Sequence, residues 1–297
     1  MIGEIAALGA AICWTISAIL YREALSKAKP ISANTVRCVC TSLVLVVYLA
    51  VNGKVDILTS LPADAVSFAC VSGIIGLGVG DTLYMVSLRL IGVARAVPIT
   101  CIYPMFNLLW AIFLIGESVT FQVVLGAVAI VFGIWLPSRE KETGKAEKQK
   151  KIVIKGVASA LATAIMWSIS ITLINMAVKE TGTLDNALAI NTIRVTAVAV
   201  SLLASASLID RSLSFLKMQR KTLIALICGG LVALGLGWFF LTFSFINAPE
   251  SRTVPISSTT PFFSTLSGII FLHEKVTAKT AMGSIVIVAG IFLIFSV

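Results

Sequence analysis

RAVPITCIYPMFNLLWAIFLIGESVTFQVVLGAVAIVFG, residues 95–133, is the stretch whose reading decides the fold. It is apolar apart from a few punctuating residues: Arg95, Pro98, Pro104, Glu117, Gly126 and Gly133. The same types return at Arg252, Pro255, Pro261, Glu274, Gly283 and Gly290, each 157 positions further on (95 to 252, 133 to 290). Pro, Gly and charged residues are uncommon in apolar sequence, so six coincidences at one offset do not follow from composition. The chain is a duplicated unit.

Outward from that stretch the match continues. Asn34-Thr35-Val36-Arg37 returns as Asn191-Thr192-Ile193-Arg194, and Gly73, Gly78 and Gly80 return as Gly230, Gly235 and Gly237, at the same offset. Near the start the offset is 153, where Ala11 to Ser17 resembles Ala164 to Ser170 and Trp14 matches Trp167. The two units occupy residues 1–137 and 152–297, joined by the Lys- and Glu-rich linker 138–151.

Hydrophobic residues fill 58% of the 297 positions and charged residues 12%, with a mean hydropathy of +1.01. A soluble domain carries about 25% charged residues. The chain therefore reads as an all-α integral membrane protein, and its net charge of +9 does not signal nucleic-acid binding. A span needs roughly 20 apolar residues. Ten transmembrane helices are predicted, over 4–21, 32–51, 65–88, 94–115, 120–136, 153–178, 186–209, 223–246, 251–272 and 277–295. Their ends carry ordinary stop signals, among them Asn52-Gly53, Pro62 with Asp64, Gly116-Glu117-Ser118 and Pro137. Pro98 falls in the first turn of the fourth helix, whereas Pro104 lies well inside it and predicts a kink. Gly73, Gly76, Gly78 and Gly80 let a neighbouring helix come close. Met1-Ile2-Gly3-Glu4 lacks a basic n-region, so no removed signal peptide is expected.

Five spans per unit, an odd number, turn the second unit upside down relative to the first. Two inverted five-helix repeats are a common construction of secondary transporters. The bias of Lys and Arg between connections sets the orientation. With the N-terminus outside, the cytoplasmic connections collect Arg22, Lys27, Lys29, Arg89, Arg95, the basic residues of the linker with Lys155, Arg211, Lys217, Arg220, Lys221, Lys275 and Lys279. The outer connections collect only Lys54, Lys179 and Arg252. Both termini are expected outside and the linker in the cytoplasm, in the cell (plasma or inner) membrane.

The tryptophans of the first and sixth helices, and the order Arg-x-x-Pro, Pro, Gly-Glu or His-Glu, Gly, Gly in both halves, resemble the EamA-type members of the drug/metabolite transporter superfamily. The resemblance covers essentially the whole chain. It implies a central cavity lined by the first four helices of each repeat, with the fifth and tenth helices packed peripherally. Gly126, Gly133, Gly283 and Gly290, at seven-residue spacing with few polar groups, agree with that packing role. EamA-like proteins include exporters of amino acids and other metabolites, and distant relatives carry nucleotide sugars or phosphorylated sugars.

Polar groups in hydrocarbon are costly and face a cavity or a partner. Asp81, near the middle of the third helix with Trp238 as its repeat mate, either contacts substrate or a coupling proton or pairs with a neighbouring helix. Arg37 and Arg194 either snorkel to the interface or serve as an anion contact or inter-repeat gate; Arg95 and Arg252 read as interfacial. Trp14, Tyr84, Tyr103, Asn107, Trp167, Trp238, Ser258, Thr259 and Thr260 join Asp81 as candidate substrate-binding residues. Rings with polar handles suit a compact amphipathic solute, the alternative for each being plain packing. Pro104 and Pro261 join the two arginines as candidate hinge or gate residues. Glu117 and Glu274, in turns before the fifth and tenth helices, are expected to cap helix N-termini.

The six cysteines lie in or at the edge of apolar segments without a CxxC pair and His273 is alone, so neither disulfide nor metal site is expected. GxxxxGK[ST], HExxH and a Ser/His/Asp set are absent; no catalytic residue, enzyme activity or ATP-driven pumping is expected. The expected function is a secondary active or facilitative transporter, exporter or exchanger, that moves a small amino acid-like or other neutral or zwitterionic solute by alternating access. No cofactor is expected, with a proton gradient or exchange as energy source. A sugar phosphate needs several convergent basic groups, and only Arg37 and Arg194 lie inside spans. The other reading is a non-transporting membrane scaffold or a subunit of a membrane complex. Expected partners are the solute and the lipid bilayer, in a monomer or homodimer.

Overall fold

The computed structural model describes residues 1–91, 96, 99–136, 147–179, 181–209, 218–263, 266 and 278–296. Apolar sequence between the breakers forms helices, and no strand occurs among the described residues. They are α1 (Ile2–Lys27), α2 (Pro30–Val51), α3 (Ala63–Ile91), α4 (Tyr103–Ile115), α5 (Phe121–Trp135), α6 (Glu147–Lys179), α7 (Leu184–Ile209), α8 (Arg220–Asn247), α9 (Glu250–Ser257) and α10 (Ala278–Phe295). A short helix, Asp56–Ser60, lies in the α2–α3 connection. Pro30 sits in the first turn of α2, where its missing N–H costs nothing. Gly116 ends α4 with φ 74°, a left-handed conformation that a side chain disfavours. Arg95, Pro98, His273, Glu274 and most of the linker fall outside the described residues.

α1, α2, α3, α6, α7 and α8 each hold a stretch long and apolar enough to cross a membrane, whereas α4, α5 and α10 are shorter apolar helices. Phe113, Phe121 and Phe292 are each 76% exposed, while Asn34, Arg37, Asp81, Asn107, Arg194 and Glu250 are buried. An apolar exterior around a polar interior reverses the order of a soluble domain and is the arrangement that lipid demands. The protein is a multi-pass membrane protein.

Two local departures from plain helix recur at equivalent places in the two repeats. At Gly73–Gly80 in α3 and Leu231–Gly237 in α8 the backbone widens into π-helical turns, so that the Asp81 amide bonds the Gly76 carbonyl and the Trp238 amide the Ala233 carbonyl. The expected kink at Pro104 is a break instead: residues 101–102 form a turn and Pro104 lies in the first turn of a new helix, where its lost hydrogen bond is harmless. Residues 258–259 form the same turn ahead of Pro261.

Glycines set the close contacts. α1 runs antiparallel to α8, with Gly3 against Ala248, Gly9 against Phe240 and Trp14 against Gly237. α6 runs antiparallel to α3 in the equivalent way, with Gly156 against Ile91, Trp167 against Gly80 and Ser170 hydrogen-bonded to Ser72. The first helix of each repeat thus packs on the third helix of the other. α5 and α10 cross at their glycines: a Cβ on Gly126 would stand 2.8 Å from the Gly290 carbonyl oxygen, and one on Gly133 2.7 Å from that of Gly283.

Candidate functional site

Arg37 of α2 and Asp81 of α3 form a buried ion pair. Asp81 also accepts from Trp167 Nε1 of α6 at 2.8 Å. Arg37 Nε donates to Asn34 Oδ1, one helical turn earlier, at 2.8 Å. Asn34 in turn donates to the Leu77 carbonyl at 2.8 Å. The Tyr84 and Tyr103 rings lie 5.0 and 6.0 Å from that of Trp167, and the Arg37 guanidinium lies 5.5 Å from the centre of the Tyr21 ring. Neither expected arginine snorkels. A buried pair persists only where further hydrogen bonds satisfy both groups, and here they do.

The second repeat builds the same frame without the acid. Arg194 is fully buried, and its Cζ stands 3.6 Å from the centre of the Trp238 ring, which occupies the position equivalent to Asp81. Arg194 Nη2 donates to Ser170 Oγ at 2.8 Å, but Nε and Nη1 have no hydrogen-bond partner. Asn191 donates to the Leu234 carbonyl at 2.9 Å, as Asn34 does to Leu77, yet its Oδ1 is unpartnered. Trp14, the counterpart of Trp167, turns its Nε1 to the Ala233 carbonyl at 3.3 Å and lies 5.3 Å from the Trp238 ring. An indole cannot accept where a carboxylate can, and that single difference accounts for the rearrangement.

The remaining candidates disperse. Ser258 and Thr259 donate to the Pro255 and Ile256 carbonyls at 2.7 Å, which occupies their hydroxyls within the helix break. Thr260, just after the turn that ends α9, is tied to α1: Thr15 Oγ1 donates to its carbonyl at 3.1 Å. Pro104 is buried and Pro261 half-buried at the two breaks. Asn107 leaves the Asp81 network for a second cluster, donating to Glu250 Oε1 at 2.7 Å and to the Ser168 carbonyl at 3.0 Å. Glu250 is not among the sequence candidates, because the expected ninth helix begins at residue 251 and places it in the preceding connection. The available signal was a charge without a mate, since the equivalent position is Val93.

Ion pairs gather the N-terminus and alternate connections at one end of the molecule. The Met1 amino group meets Glu4 at 2.9 Å, Arg252 approaches Glu4 at 3.9 Å, Lys179 meets Glu117 at 3.0 Å and Lys54 meets Asp185 at 2.5 Å. Glu117 caps α9, not the helix that follows it: its two oxygens accept from the Glu250 and Ser251 amides at 3.0 and 3.1 Å. α5 is capped by Thr120, whose hydroxyl accepts from the Val123 amide at 3.5 Å. Burial works to raise the Glu117 carboxyl, but the Ser251 amide, the Lys179 ammonium and the Glu250 amide together hold it below the ordinary carboxylate value.

A polar lattice buried where helices of the two repeats cross, inside an apolar exterior, defines a membrane protein that keeps ionisable groups at its centre. The chain belongs to the EamA-like transporter family, which matches residues 1–139 and 154–296, and it is a membrane transporter on that ground. A protein of Archaeoglobus fulgidus named "Uncharacterized transporter" is 22% identical over 294 residues, covering 99% of this chain and 98% of that protein. A crystal structure of a protein with 18% identity shares the fold, with a TM-score of 0.76 over 98% of this chain and 96% of the other.

Proposed function

We propose that the protein is a secondary active or facilitative transporter of a small zwitterionic, amino acid-like solute, an exporter or exchanger in the cell membrane. It works by alternating access between inverted five-helix repeats, residues 1–137 and 152–297, about the cytoplasmic linker 138–151. The antiparallel pairing of repeat-equivalent helices supports the inversion, and the gathering of the N-terminus with alternate connections at one end supports regular crossing. The Lys and Arg bias of the connections supports an outside location for that end.

The observation that carries the solute class is Arg194, a fully buried cation with two nitrogens unpartnered. Leaving a buried charge uncompensated costs several kcal/mol. A solute carboxylate supplies the missing acceptors in the two-pronged geometry that guanidinium favours, with the Trp14 and Trp238 rings flanking the rest of the molecule. The Arg37–Asp81 pair and the breaks before Pro104 and Pro261 serve as gate and hinges. The test is thermal stabilisation of purified protein by amino acids, compared with the matching carboxamides and decarboxylated amines. The acids are expected to raise Tm, and Arg194→Met to abolish the rise. Equal stabilisation by amides and amines, or an intact response in Arg194→Met, overturns the reading.

A further inference from the structure

We propose that Glu250 is the proton-binding site that couples transport to a pH gradient, and that its charge sets how firmly α9 is held to α4 and α6. The proposal rests on the transporter reading above.

Glu250 is fully buried at the first turn of α9. Its carboxylate accepts from Asn107 Nδ2 of α4 at 2.7 Å, and from Thr172 Oγ1 and Asn175 Nδ2 of α6 at 2.6 and 2.7 Å. All three donors are neutral, and no ion pair reaches this carboxylate among the described residues. The charged group facing it is another acid, Glu117, which is bound to the Glu250 amide and paired outward with Lys179. Arg252, two residues on, turns to Glu4. Two opposed effects meet on one group: a buried charge without a counter-ion costs free energy that a single proton removes, while three donors favour the ionised form.

A second observation fits both protonation forms. Asn175 Oδ1 is buried without a hydrogen-bond partner, and its Nδ2 is given to Glu250. Turned end for end, this amide presents a carbonyl oxygen to which a neutral Glu250 donates its own proton, whereas Asn107 is held in place by its second bond to the Ser168 carbonyl. Ionised, the acid takes N–H and O–H donors; protonated, it donates to an amide. Hydrogen bonds to an ionised acceptor are roughly twice as strong as neutral ones, so protonation loosens α9 from its neighbours.

The proton comes from a hydronium ion at the end where the Lys179 side chain is 40% exposed: one O–H bond of hydronium breaks, leaving water, as an O–H bond to a Glu250 oxygen forms. It returns to water on the opposite side once the repeats have exchanged roles. The equivalent position in the first repeat is Val93, which cannot bind a proton, so the proposed coupling through this position is one proton per cycle.

Infrared difference spectroscopy of the reconstituted full chain, titrated over about pH 5 to 8 without solute, tests this apart from transport. The expected result is one protonated-carboxyl band that grows on acidification as a carboxylate band is lost. Glu250→Gln should lack it, and Thr172→Val, with one donor fewer, should shift its midpoint to higher pH. The Thr172→Val shift keeps the test decisive if Glu250→Gln fails to fold. No titrating carboxyl, an unchanged band in Glu250→Gln, or an unmoved midpoint in Thr172→Val overturns the proposal. A positive result beside failed carboxylate recognition would sink the solute assignment alone.

Discussion

Arg37 and Arg194 are the same residue of one duplicated frame, yet they live under different electrostatic terms. Each sits three residues after an asparagine that bonds a carbonyl of the neighbouring helix, and each is buried beside a π-helical turn. Arg37 finds a carboxylate and donates to its asparagine; Arg194 finds an indole face and leaves both Nε and Asn191 Oδ1 unpartnered. Duplication preserves geometry more readily than charge balance, because backbone contacts constrain the glycines of both copies while one side chain, Asp81 or Trp238, decides the balance. An arginine stacked on an aromatic ring keeps about 2 kcal/mol or more of attraction when desolvated. That is less than a well-made ion pair supplies, and it is the shortfall that the proposed solute carboxylate would fill.

The largest expected effect comes from replacing each arginine by a side chain of similar length. Arg37→Met strands Asp81 and should lower stability by about 3–5 kcal/mol, whereas Arg194→Met removes a buried cation with no hydrogen-bonded carboxylate and should be neutral or stabilising by about 1–3 kcal/mol. Chemical denaturation in detergent reads both, and equal losses would erase the contrast. Next come the glycines beneath the two arginines. A Cβ on Gly73 would stand 2.5 Å from the Arg194 carbonyl oxygen, while one on Gly230 would meet Thr41 Oγ1 at 2.9 Å and the Arg37 carbonyl oxygen at 3.0 Å. Gly73→Ala should cost about 1–3 kcal/mol. For Gly230→Ala the gain in helix propensity, about 1 kcal/mol, offsets the milder contact. A larger loss at Gly230 would reverse the expected order of the halves.

Glu117→Gln is the smallest, about 1 kcal/mol for a weakened cap. Its sign with pH is definite. The folded value lies below the ordinary 4.5, so the contribution is present above that value and is lost as pH falls through the folded one. Wild type should lose stability more steeply than Glu117→Gln in that acid window, and parallel curves would show that the Glu117 charge contributes nothing to the cap.

The frame was legible in the sequence because it is written in residues with backbone consequences. The 157-position offset, Pro104 with Pro261, and the glycines of α5 and α10 all mark places where the chain must turn, break or touch. The partners of the charged groups were not legible. Asp81 meets Arg37 across 44 positions and Glu250 meets Asn107 across 143. No periodicity within one helix reports such a meeting. Glu117 illustrates the limit: its spacing announced a cap, and the helix it caps belongs to the other repeat. The π-helical turns were equally hidden, since glycine clusters permit close approach without specifying how the backbone adjusts.

The crossing of α5 and α10 has a property that the arginine sites lack. Gly126 faces Gly290 and Gly133 faces Gly283; exchanging the repeats turns the first contact into the second and the second into the first. The pair of contacts maps onto itself. With no charge in it, a proton or a carboxylate has nothing there to act on. Under the alternating-access proposal this self-symmetric crossing is the part expected to stay fixed, an axle for the unequal halves.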